Sequence, residues 1–111
     1  MKKSEIKFNI DLDDNNVPEK IMWFATDNPS GQEEEARAIA IALWDESQKS
    51  TMKIDLWSKE MSVEEMKQFY IETIGGMAES LEHATNDKFM ADEIRSLCKT
   101  LVKHVQDQAK Q

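Results

Sequence analysis

Residues 32–45 read Gln32-Glu33-Glu34-Glu35-Ala36-Arg37-Ala38-Ile39-Ala40-Ile41-Ala42-Leu43-Trp44-Asp45, and the fold class turns on this stretch. Ser30 and Glu33 have capping-box spacing, and three consecutive glutamates suit the positive end of a helix dipole. Against that, Ile39, Ile41 and Leu43 alternate with Ala38, Ala40 and Ala42, which is the period of a strand. Met52 to Trp57 reads as a strand, and the polar connection Asp45 to Thr51 has the length of a hairpin loop. The reading taken is a hairpin, strand 37–45 with strand 52–57. A helix over 32–47 is the alternative.

Working outward, Ile6, Phe8, Ile10 and Leu12 alternate with Lys7, Asn9 and Asp11, the mark of a half-buried strand. Asp13-Asp14-Asn15-Asn16 supplies turn chemistry, and Lys20 to Thr26 reads as the returning strand. Pro18 sits just before it, where a missing N–H does no harm. Residues 27–31 form a loop. Downstream, Ser62 and Glu65 make a capping box, and Met66, Phe69, Tyr70, Ile74, Met77 and Leu81 fall on one stripe of a helix over 63–85. Asn86-Asp87 breaks that helix and caps a second, striped by Met90, Ile94, Leu97, Cys98, Leu101 and Val105. The expected fold is α+β: a four-stranded antiparallel sheet of two hairpins, then two antiparallel helices packed on one face. Residues 1–111 are read as a single domain, with 1–61 mainly strands and 62–111 a helical hairpin.

The 111 residues carry 14 basic and 22 acidic side chains, a net charge of −8. Binding along a phosphate backbone needs clustered cations, so nucleic acid is disfavoured, and an anionic membrane surface for the same reason. No apolar run approaches the roughly 20 residues that cross a bilayer. The N-terminal residues lack the apolar core of a secretory signal, and the one cysteine makes no internal disulfide. These features predict a cytoplasmic chain.

The motifs that carry chemistry are missing. Asp11 to Asn16 starts like a calcium loop, but Asn16 stands where glycine is required and Met22 where a bidentate glutamate is required. His83 and His104 fall on different helices without a second ligand at metal spacing. Cys98 sits in an apolar stripe, which suits packing better than nucleophilic chemistry. No glycine loop, serine elbow or zinc motif is present, and Gly75-Gly76 falls inside a helix, where internal close packing is the expectation. The sequence therefore predicts no enzyme, no catalytic residue, no metal and no cofactor.

Three segments carry a family resemblance: Asn15 to Ile21, Lys53 to Met61, and Met77 to Thr85. Together they resemble GldC, the gliding motility-associated protein of Bacteroidetes bacteria, over about Ser4 to Lys103. The resemblance implies an accessory role in gliding, whose machinery is linked to type IX secretion, with no catalytic residue and no cofactor. Three activities compete. One is a non-enzymatic adaptor that binds a protein partner of the gliding or secretion apparatus. The alternative is an export-chaperone-like module holding secretion clients. A small-molecule-binding enzyme is a third.

Strand alternation sends Phe24, Trp44 and Trp57 to the outer side of the strands, together with Met22, Ala38, Ala40 and Ala42. Large exposed apolar patches mark interaction sites, and tryptophan is enriched among binding hot spots. Phe24, Trp44 and Trp57 are therefore the expected partner-binding or self-association face, with a homodimer among the outcomes. Between the helices, folding at Asn86-Asp87 is expected to set Arg95 against Glu79 and Lys99 against Glu72.

Overall fold

The structure, a computed structural model, describes residues 1–110. The chain divides into two compact units, Met1–Ser62 and Val63–Gln111. The first holds five strands: β1 (Ile6–Leu12), β2 (Pro18–Ala25), β3 (Glu34–Ala36), β4 (Ala38–Asp45) and β5 (Ser50–Trp57). They form two antiparallel sheets, a three-stranded one ordered β1-β2-β3 and a two-stranded one, β4-β5. The class is α+β, but the expected single four-stranded sheet is corrected to five strands in two sheets.

The added strand is β3. Glu34 and Glu35 have no apolar alternation to announce a strand, yet they pair with Trp23 and Met22. Two glutamates on a sheet edge are physically apt, because charge discourages pairing with a further strand. Glu33 also accepts a hydrogen bond from Asn9 Nδ2 at 2.9 Å. The alternative helix over 32–47 is excluded, since β4 runs from Ala38 to Asp45 in register with β5, Ala38 opposite Trp57 and Asp45 opposite Ser50. Only Arg37 separates β3 from β4, so the chain passes from one sheet to the other within a single residue.

Local chemistry closes the turns. Between β4 and β5, Asp45 Oδ1 accepts from Ser47 N at 3.2 Å, its carbonyl accepts from Lys49 N at 2.9 Å, and Lys49 takes a left-handed conformation with φ 52°. Register then places Ile39, Ile41 and Leu43 on one face of the hairpin with Leu56, Ile54 and Met52. The opposite face carries Trp44 and Trp57. In the three-stranded sheet, Ile10 pairs with Ile21, which is wholly excluded from water.

The second unit is α1 (Val63–Thr85) and α2 (Lys88–Ala109). α1 starts directly after Ser62, where the capping motif places it. It ends as Asn86 turns left-handed (φ 61°), and Asp87 caps α2 by accepting from Met90 N at 3.0 Å. Ala78 on α1 and Ala91 on α2 are wholly buried. Cys98 is half-buried, its Sγ 3.8 Å from the Ile71 carbonyl oxygen across the hairpin.

Charge does join the helices, but not in the expected pairs. Arg95 meets Glu82 at 2.8 Å and Asp92 at 3.0 Å rather than Glu79. Glu72 accepts from Gln68 Nε2 at 3.0 Å rather than pairing with Lys99, and Lys67 donates to Gln108 at 2.9 Å near the open end. The shift from Glu79 to Glu82 is about one helical turn toward the connection, because helical side chains lean toward their own N-terminus and the long Arg95 side chain therefore reaches toward the connection.

Candidate functional site

The turn between β1 and β2 is organised by Asp13. Its Oδ1 accepts the backbone N–H groups of Asn15 at 2.8 Å and Val17 at 3.0 Å, and Asn16 adopts a left-handed φ of 63°. The other carboxylate oxygen accepts from Lys59 Nζ at 3.1 Å, and the same ammonium meets Glu19 at 3.0 Å. Lys59 also donates its backbone N–H to the Pro18 carbonyl at 3.1 Å, while Ser58 N donates to Arg37 O at 2.8 Å. The chain leaving β5 is thereby tied to a turn 46 residues earlier in sequence.

Electrostatics follow from those contacts. The N–H groups of Val17 and Asn15, with Lys59 behind them, hold the Asp13 carboxyl below the usual carboxylate range. Hydrogen bonds to Glu19 and Asp13 hold the Lys59 ammonium above the ordinary lysine value.

Between this turn and β5 lies a concavity of about 390 Å³. Val17, Pro18, Leu56 and Trp57 supply its apolar lining, and Asn16, Asp55 and Lys59 its polar lining. Trp57 is 49% exposed and Val17 39%, so both are reachable from solvent. Asp55 Oδ2 pairs with Lys53 at 3.3 Å. Asp55 Oδ1 and the Oγ of Ser58, which is 3% exposed, are buried without a hydrogen-bond partner among the described residues. Such a surface can hold an apolar group against the indole with charges at its border. Among the described residues, no three His, Cys, Asp or Glu side chains group as metal ligands, and no helix is long and apolar enough to cross a membrane.

The three residues expected to form a binding face are not gathered together. Phe24 belongs to the three-stranded sheet, opposite Lys7, and is half-buried. Trp44 and Trp57 share a face of the β4-β5 hairpin but stand at its two ends, opposite Thr51 and Ala38. At a strand rise of about 3.3 Å per residue, they are roughly 20 Å apart. Trp57 alone reaches the concavity, and Trp44 projects near the hairpin tip with 64% of its surface exposed.

Missing from the sequence reading was the other wall, Asn16 to Pro18. No local pattern announces it, because the walls come from segments nearly 40 residues apart. The available signal was indirect: Asn15 to Ile21 and Lys53 to Met61, two of the three resembling segments, supply the two walls.

No curated protein and no solved structure matches the chain. A family described as "Gliding motility-associated protein GldC-like" does match, over residues 18–107. That span begins at Pro18 in one wall, takes in the whole of β5 in the other, and runs through α1 into the last turns of α2. With most of its length so matched, the chain belongs to the GldC-like family of gliding motility-associated proteins.

Proposed function

We propose that this chain is a non-enzymatic accessory protein of bacterial gliding motility. It acts in the cytoplasm by binding a protein component of the gliding or type IX secretion machinery. The observation that carries this reading is the concavity between Asn16–Pro18 and Asp55–Lys59. A solvent-reachable tryptophan against valine, proline and leucine is the composition of an interface anchor, not of a polar reaction centre. A net charge of −8 points to a partner with a basic surface around an apolar contact.

The test is affinity capture from gliding cells with wild-type protein and Trp57→Ala, loaded at equal folded amounts. Trp57→Ala is expected to reduce recovery of the specific partner at least tenfold while the circular dichroism melt stays nearly unchanged. If Trp57→Ala unfolds the chain but partner affinity per folded molecule is intact, Trp57 is a packing residue and the assignment is wrong.

A second reading, an export-chaperone-like module holding secretion clients, has its own support. Met52, Met77 and Met90 are 54%, 50% and 49% exposed, and flexible thioethers adapt to varied clients. Suppression of aggregation of a destabilised client at stoichiometric chain favours this reading; no suppression favours the adaptor.

A further inference from the structure

We propose that the free edge of β4 is a self-pairing surface. Through it two copies of this chain join their β4 strands antiparallel, about a two-fold axis at Ile41. The proposal stands apart from the adaptor reading and does not depend on it.

β4 pairs with β5 alone, so its other long edge has no strand beside it among the described residues. The bond from Ser58 N to Arg37 O makes these two residues a hydrogen-bonded pair of the ladder. Alternation along an antiparallel strand then turns the backbone groups of Ile39, Ile41 and Leu43 toward β5. Those of Ala38, Ala40, Ala42 and Trp44 face the open edge.

This edge has none of the usual guards. Natural edge strands carry lysine, proline or a bulge that blocks further pairing. β3 has two glutamates and β1 has Lys7 and Asp11, whereas Ala38 to Trp44 contains no charge at all. That neutrality also selects the occupant. Chains of net charge −8 repel one another, and a neutral seam adds no local repulsion when two copies meet along it. A basic partner would find nothing on β4 to attract it.

The strand is complementary to itself. Antiparallel pairing centred on Ile41 sets Ala40 against Ala42 of the second copy and Ile39 against its Leu43. It also sets Ala38 against its Trp44, a small residue opposite the largest. Because Ala38 already lies opposite Trp57 in its own chain, the second copy's Trp44 and this Trp57 flank one alanine. Two indoles that stand far apart in one chain then share a row across the pair. On the other face, Ile54, Ile41 and their copies form a continuous apolar row, with the second copy's Ile41 beside this one. About eight new backbone hydrogen bonds complete a four-stranded sheet. Pairing along one edge buries an area at the small end of specific interfaces, which fits a reversible dimer.

The test begins with sedimentation equilibrium of the full chain across the micromolar range. The expected result is a reversible shift from 12.8 kDa to twice that mass. Ala40→Lys places an ammonium on the seam and is expected to weaken dimerisation at least tenfold, its thermal melt showing that the monomer is folded. Register is read in a Cys98→Ser background. Ile41→Cys lies opposite its own copy as a non-hydrogen-bonded pair, about 4.5 Å between Cα atoms, within disulfide reach. It is expected to cross-link on mild oxidation. Ile39→Cys faces Leu43 of the second copy instead, roughly 13 Å from its own copy, and is expected not to cross-link. A wild-type chain that stays at 12.8 kDa overturns the proposal. So does a dimer indifferent to Ala40→Lys in which Ile41→Cys does not cross-link, since that dimer uses another surface.

Discussion

The strand unit and the helix unit keep water out in opposite ways. In Met1–Ser62 the large side chain wholly out of water is Ile21, while Ile6, Leu12, Leu43, Trp44 and Met52 remain half exposed or more. In the helix hairpin the wholly buried residues are two alanines, Ala78 and Ala91. One unit puts a branched side chain wholly out of water, the other only small ones. The hydrogen bonds differ likewise. The backbone bonds of the helices close within four residues, whereas the strand unit is tied by long-range backbone bonds from Lys59 and Ser58. Both units leave apolar side chains in water, Phe89 at 74% and Trp44 at 64% among them, but in the strand unit one of them, Trp57, lines a concavity.

Removing that single large side chain is the strongest way to break the comparison. Ile21→Ala is expected to destabilise the strand unit by about 3 kcal/mol, transfer and cavity effects together. Urea denaturation followed by tryptophan fluorescence measures it, because all three tryptophans lie in this unit. A loss below about 1 kcal/mol would mean that the site collapses freely and that Ile21 is no keystone.

The next effect has the opposite sign and falls in the helices. A Cβ on Gly75 would meet Cys98 Sγ at 3.8 Å, an ordinary contact, and one on Gly76 would meet nothing within 4 Å. The expected close-packing role of these glycines is therefore not what the structure shows. Gly75→Ala and Gly76→Ala are each expected to stabilise α1 by about 0.5–1 kcal/mol, raising the melting temperature. A drop in stability for either would show that the hairpin tolerates less approach than its alanine contacts imply.

The smallest effect sharpens the contrast through pH. Asp13 is depressed, so its contribution is present above the unfolded carboxylate value and is lost as pH falls through the lower folded value, below about pH 4. Lys59 is raised, so its contribution is full below the unfolded lysine value and is lost as pH climbs past about 10.5. Between those limits the clasp is expected to be flat with pH. Lys59→Met should lower the melting temperature slightly and blunt the alkaline arm in thermal melts. An unchanged alkaline arm would assign it to other groups.

Much of this was legible in the sequence, for identifiable reasons. Helix α1 is bounded by Ser62 and Asn86, whose capping and left-handed roles are local, and its apolar stripe keeps one period throughout. β4 is readable from the strict alternation of alanine with isoleucine and leucine. β3 is not, because Glu33-Glu34-Glu35 resembles a helix start and only pairing with Met22 and Trp23 makes it a strand. The class of Arg95's interaction was readable, but its partner depends on which way a long side chain leans along α2. The concavity was half legible: Trp57 stood out by type, while Val17 and Pro18 joined it only through a contact distant in sequence.

That distance has a meaning in terms of synthesis. The turn at Asp13 to Val17 carries its own hydrogen bonds and can form as soon as residue 17 exists. The surface beside it cannot. Until residue 59 has been made, Lys59 is not there to hold Asp13 and Glu19, and Pro18 O lacks the donor that pins it. Closing so long a loop costs entropy that only the finished contact offsets. A chain cut between Ala25 and Asp55 would contain its whole first hairpin and lack the second wall of the concavity. The concavity thus belongs to the end of β5, and a growing polypeptide acquires it only when the strand unit is nearly complete.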